Sequence, residues 1–127
     1  MINMAKANKS TPDSKERELY RKLVATVPGV DVKGDSMLYT SMNGNMYSFI
    51  DKEDKVGLRL SKEDREAFLE KYDTTLFHAH GTVLKEYVTV PGDLLSKTSV
   101  LKKHFAKSHE YAQTLKPKPT KKEIKNG

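Results

Sequence analysis

His78 and His80 stand two residues apart, the spacing that places two side chains on one face of a strand. Two imidazoles so placed could share a metal ion, but a zinc site needs further ligands that the neighbouring sequence does not supply. Two polar aromatic side chains at a strand end are the plainer reading. Neither a metal nor a cofactor is expected. Ser99 and Lys102 match Ser-x-x-Lys, the nucleophile signature of penicillin-recognising enzymes. The companion motifs Ser-Asp-Asn and Lys-Thr-Gly are absent from the sequence, and the match reads as chance.

Carboxylates gather at Asp51–Asp54 and at Glu63–Glu66. The first group falls in a turn and the second in the first turn of a helix, where negative charge suits the helix dipole. Neither location offers the apolar pocket that raises a carboxyl pKa for acid catalysis. The sequence also lacks the glycine patterns of Walker and dinucleotide loops. No catalytic residue is expected, and binding is favoured over catalysis.

The segment Lys85-Glu86-Tyr87 suggests a ligand or partner face instead. Lys85 and Tyr87 alternate onto one side of their strand, and Arg59 falls on the same side of its own. Arg, Lys and Tyr on one sheet face could neutralise and stack an anionic ligand. An ordinary solvated sheet face is the alternative, since exposed Lys and Tyr need no special explanation.

The elements that must position these residues follow from periodicity. Asp13 and Glu16 read as an N-cap and its N3 partner. Leu19, Tyr20, Leu23, Val24 and Val27 then form one helical stripe, ended by Pro28-Gly29. Asn43-Gly44 is the favoured pair for a tight type I′ hairpin turn, so Met37–Met42 and Met46–Asp51 should pair. Lys52-Glu53-Asp54 makes a second turn into a strand where Val56, Leu58 and Leu60 alternate with Lys55, Gly57 and Arg59. Such alternation belongs to an antiparallel sheet covered on one side.

Ser61 should cap a second helix that buries Ala67, Phe68 and Tyr72. Strands over Thr75–His78 and Val83–Val90 follow, joined through Gly81. In the longer one Leu84, Val88 and Val90 are expected to share a face with Glu86. Thr98 should cap a last helix with Leu101, Phe105, Ser108, Ala112 and Leu115 on its inner side. The expected order is α-β-β-β-α-β-β-α. That is a two-layer α+β domain, with a mostly antiparallel five-stranded sheet and helices on one face.

One domain of 127 residues can bury a single core, and the absence of Cys excludes disulfides. No stretch has the apolar length of a bilayer span, and residues 1–13 read as a flexible segment rather than a signal peptide. A cytoplasmic protein is expected, with no membrane partner. The net charge of +6 sits mostly at the ends. Lys116, Lys118, Lys121, Lys122 and Lys125 stand against Glu123 in a tail, 116–127, that reads as disordered. Residues 14–115 are close to neutral, so a basic folded face is not supported. The lysine tail is instead a candidate for weak, salt-dependent nucleic-acid contact.

Met42-Asn43-Gly44-Asn45-Met46-Tyr47, Leu58-Arg59-Leu60, and Lys85-Glu86-Tyr87-Val88 closing on Val90-Pro91 carry a family likeness. In order and spacing they resemble the N-terminal domain of the TfoX/Sxy competence regulators, over about Leu19 to Leu115. Gly34-Asp35-Ser36-Met37 stands near the place of that family's Met-Phe-Gly-Gly opening. The resemblance implies an α+β fold, a bacterial cytoplasmic setting and no catalytic residues. Longer members add a C-terminal helical domain, so it implies a stand-alone form here. The expected function is a small adaptor or regulator acting through protein contacts, as a monomer or homodimer.

Overall fold

The structure, a computed structural model, describes residues 13–117. Helix α1 (Lys15–Val24) begins on Ser14, whose hydroxyl accepts from the Arg17 N–H at 3.1 Å. Ser14 thus takes the capping role expected of Asp13. The Asp13 carboxylate instead bonds Arg21 Nε at 2.6 Å, one turn further into the helix. Strands β1 (Lys33–Gly34), β2 (Leu38–Met42), β3 (Asn45–Ile50) and β4 (Val56–Arg59) follow. Asn43 and Gly44 sit at φ 53° and 82°, the positive angles that a type I′ turn demands. Asp51 closes the next turn by accepting from the Glu53 and Lys55 N–H groups.

Helix α2 (Lys62–Tyr72) is capped by Ser61 through the Asp64 N–H. Its buried side differs from expectation at Ala67, which is exposed, while Phe68 is buried and Leu69 and Tyr72 pack against the core. Strands β5 (Leu76–Ala79) and β6 (Thr82–Val90) form a hairpin over His80 and Gly81, both at positive φ. A short helix α3 (Gly92–Leu95) precedes α4 (Thr98–Thr114). Thr98 is the first residue of α4 rather than its cap, and its buried hydroxyl has no hydrogen-bond partner among the described residues.

The sheet runs β1-β2-β3-β4-β6-β5, antiparallel throughout. It has six strands where five were expected. The extra one is the two-residue β1, too short to leave a periodic signal. The two-layer α+β architecture stands. Val56, Leu58, Val88 and Val90 bury one sheet face in a single cluster with Tyr20 and Leu23 of α1 and Leu101, Phe105 and Ala112 of α4. No helix among the described residues is long and apolar enough to cross a membrane.

Two irregularities shape the sheet. Thr40 pairs with Ser48 and Ser41 with Met46, which leaves Tyr47 as an extra residue in β3. The bulge brings Tyr47 to the helix side, where its ring lies 5.9 Å from Phe105 and its carbonyl accepts from Ser108. Beside it, Tyr20, Thr40 and Ser48 form a buried hydroxyl cluster, with Tyr20 Oη 2.7 Å from Ser48 Oγ and Thr40 Oγ1 at 2.6 Å. Burial pushes the Tyr20 phenol far above its ordinary pKa, so the cluster stays neutral. The second irregularity is larger. Leu76 pairs with Val88 but Phe77 pairs with Leu84, so Lys85, Glu86 and Tyr87 have no partners on β5.

Helix α2 meets α4 through an aromatic cluster. The His104 ring stands edge-on to Phe68 at 5.0 Å, and its Nε2 is 2.8 Å from the Tyr72 hydroxyl. Burial lowers the His104 pKa below its ordinary 6.5, and Lys71 and Lys107 add to this against the opposing pull of Asp64. As pH falls, the unfolded chain therefore takes up this proton first. Stability should be whole above about pH 6.5 and decline as pH drops toward the folded pKa. Melting temperatures measured between about pH 7.5 and 5 should fall more steeply for the wild type than for His104→Phe. Parallel slopes would show that His104 is not the group responsible.

Candidate functional site

The sheet face away from the helices is where the candidate residues gather. Arg59 and Tyr87 are partners across the β4–β6 ladder, as their alternation implied, and the guanidinium lies 5.8 Å from the Tyr87 ring centroid. Neither is available as expected for an anionic ligand. Arg59 Nε donates to Glu86 Oε1 at 2.7 Å, and the Tyr87 hydroxyl donates to the Met46 carbonyl at 2.6 Å. Burial raises the Glu86 pKa, but the Arg59 hydrogen bond and charge outweigh it and hold the carboxyl below its ordinary value. Tyr111 adds a hydrogen bond to the other Glu86 oxygen at 3.2 Å. Lys85 is exposed beside this cluster. The arginine is thus already neutralised, and Arg59, Glu86 and Tyr87 act as a brace.

What they brace is the bend in β6. Extra residues in one strand kink it and increase its twist. Here the kink carries the tip of the β5–β6 hairpin toward the open face. Phe77 meets Phe49 of β3 edge-on at 4.7 Å, although β4 and β6 lie between their strands in the sheet order. Both rings are only 3% exposed. The expected placement of Leu84 beside Val88 is therefore wrong. The three unpaired residues reset the alternation, and Leu84 faces the same cleft as Phe49 and Phe77.

Gly57 makes the close approach possible. It pairs with Phe49, and a Cβ at this position would stand 2.6 Å from Phe49 Cζ. A glycine inside an alternating strand marks a place where something packs onto the backbone. That was the one sequence signal for this site, and sequence reasoning missed it.

Between the hairpin tip and the sheet lies a half-open cleft of about 570 Å³. Met37, Met46, Phe49, Phe77 and Leu84 supply its apolar walls. Asp51, Lys52 and Glu53 of the β3–β4 turn and the histidines of the hairpin supply a polar rim. Volume and lining are those of a ligand or side-chain pocket. Methionines suit it to occupants of varied shape, because the thioether side chain is flexible and polarisable.

His78 and His80 both line this cleft, but not as a strand pair. His80 lies in the turn at φ 52°, and His78 Nδ1 is 3.0 Å from the Leu76 carbonyl. No group of three or more His, Cys, Asp or Glu side chains among the described residues could hold a metal ion. Ser99 and Lys102 are exposed on α4.

Of the lysine tail, Lys116 is described. It is exposed, and its carbonyl accepts from Asn45 Nδ2 at 2.9 Å, tying the start of the tail to the first hairpin. Lys118, Lys121, Lys122 and Lys125 lie outside the described residues. No family model matches the sequence, and no curated protein or solved structure shows significant similarity to it.

Proposed function

We propose that this chain is a small binding or adaptor domain whose partner is another protein. The observation that carries the reading is the methionine- and phenylalanine-lined cleft of about 570 Å³ on the helix-free face. An apolar cleft at the surface supports this reading, because aromatic and Met side chains are the types that protein interfaces favour. The resemblance to the TfoX/Sxy N-terminal domain supports a regulatory role in a bacterial cytoplasm, with transcription machinery as the partner class.

Leu84 is half-buried at the cleft, so Leu84→Glu places a charge there at modest cost to the core. A partner identified by cross-linking in extracts of the native host should bind purified wild type at least about tenfold more tightly than this variant. Thermal melts would show that the variant is folded. Equal binding would remove the cleft from the reading. Turnover of a hydrolase or transferase substrate, abolished by one substitution, would replace the reading with an enzyme.

A second reading rests on charge. Residues 116–127 carry five lysines against one glutamate, enough for sequence-tolerant phosphate neutralisation. The comparison is between the full chain and one ending at Pro117, which keeps the Asn45 bond to Lys116, on mixed DNA and RNA at two salt concentrations. Equal binding by both would exclude the tail.

A further inference from the structure

Strand β5 is an outer strand of the sheet, and its hydrogen-bonding pattern shows which main-chain groups face outward. The Thr75 carbonyl accepts from the Thr89 N–H at 2.9 Å, so the Thr75 main chain faces β6. In an antiparallel ladder these directions alternate, which turns Leu76 outward, Phe77 inward and His78 outward. The contact between His78 and the Leu76 carbonyl fits this. A carbonyl can only accept, so His78 Nδ1–H is the donor, and it occupies an acceptor on the free edge.

The cleft runs along that edge. Phe77, His78, Ala79 and His80 all line it, although side chains of consecutive strand residues point to opposite faces. Three successive strand residues and the first turn residue border the one cavity, as they do where a cavity meets the main chain of a strand. The opposite edge of the sheet, β1, is two residues long and holds Gly34 at φ 97°, a poor template for pairing.

We propose that the cleft takes an extended peptide segment of a partner protein, hydrogen-bonded to the free edge of β5 as a seventh strand. An apolar side chain of the peptide lies against Leu84, Met37 and Met46, over the closed Phe49–Phe77 pair, and a flanking lysine or arginine lies against Asp51 and Glu53. This inference rests on the protein-binding reading and adds the mode and chemistry of the partner. Strand addition draws affinity from main-chain hydrogen bonds and specificity from pockets for alternate side chains, and the cleft offers both. Asp51 and Glu53 outnumber Lys52 at the rim, and this net negative charge favours the basic flank. They also disfavour a second copy paired edge to edge through its own β5, since Leu76–Ala79 and its flanks from Asp73 to Gly81 contain no lysine or arginine. The His78 imidazole must leave the Leu76 carbonyl for the strand to pair, so it acts as a guard on the edge.

The probe is a displayed library of random peptides, selected on the wild-type full chain after depletion on Leu84→Glu. Leu84→Thr serves as a milder second variant. Selected sequences should alternate apolar residues and carry Lys or Arg at one end. Synthetic copies should slow hydrogen exchange at the Leu76 and His78 amides by at least about tenfold. N-methylation of alternate peptide amides should abolish binding, and His78→Ala should strengthen it. Enrichment of nothing over the depleted pool, or binding without protection of those two amides, would overturn the proposal. Concentration-dependent dimers that protect the same amides without peptide would assign the edge to a second copy and overturn it as well. If the partner found in host extract needs Leu84 but leaves Leu76 and His78 unprotected, the binding-domain reading stands and strand addition fails.

Discussion

Phe105→Ala is expected to lower the free energy of unfolding by about 3–5 kcal/mol, the range for truncating a fully buried aromatic side chain. Phe105 is fully buried at the centre of α4, in one cluster with Leu58, Leu101 and Val88. Its ring also holds Tyr47, the residue that the β3 bulge swings to the helix side. The cavity would therefore open where helix and sheet layers meet, with a strand bulge on one side that resists collapse. Denaturant melts should show the midpoint falling with little change in slope. Ser99→Ala, exposed on the same helix, should stay within about 0.5 kcal/mol of wild type. A Phe105 variant as stable as the Ser99 one would contradict the two-layer core.

Phe49→Ala should cost a similar amount, about 3–5 kcal/mol, but with a different distribution of damage. Phe49 packs over Gly57, stands edge-on to Phe77 and lies 5.6 Å from the Tyr87 ring. It is the support on which the bent hairpin rests. Without it the hairpin tip loses its contact with β3, while α1, α4 and the helix-side core keep theirs. Hydrogen exchange at the β5–β6 tip, residues 76–84, should accelerate more than at Leu58 or Leu101. Uniform acceleration across the domain would show that the open face is not a separate unit of stability. Loss of stability and loss of partner binding should coincide in this variant, which is why Leu84→Glu is the cleaner probe of function.

Much of the helix-side layer was legible in the sequence. Asn43-Gly44 fixed a turn because few residues tolerate two positive φ angles in succession, and the structure has both. The stripe of Tyr20, Leu23 and Val24, and that of Leu101, Phe105, Ser108 and Ala112, are buried as their periods implied. Choosing Asp13 over Ser14 as the cap failed because both residues can cap, and only three-dimensional geometry shows which hydroxyl or carboxylate meets the Arg17 N–H.

The open face was much less legible, for a reason specific to β6. Alternation identifies the two faces of a strand only while its pairing is regular. At Lys85–Tyr87 the pairing to β5 breaks while that to β4 reaches only as far as Tyr87, and period-two reasoning carried past the break puts Leu84 on the wrong side. Tyr47 escaped for the same reason. Arg59 and Tyr87 share a face as alternation implies, and Glu86, expected on the face of Val88, is reached there by Tyr111 of α4; its bond to Arg59 across the strand leaves no trace in the period. The cleft itself is made by residues from β3, β5, β6 and two connecting segments. No local pattern joins them.

The measurement that bears most directly on the binding reading is an amide chemical-shift map of the isotope-labelled full chain. It would be titrated with the partner identified from host extract. The largest changes should fall on Met37, Met46 and Phe49, on the turn Asp51–Glu53, and along Phe77–Leu84. The outer surface of α4 around Ser99, Lys102 and Glu110 should stay unchanged. A saturable map confined to those α4 positions, with the cleft residues unmoved, would contradict the account.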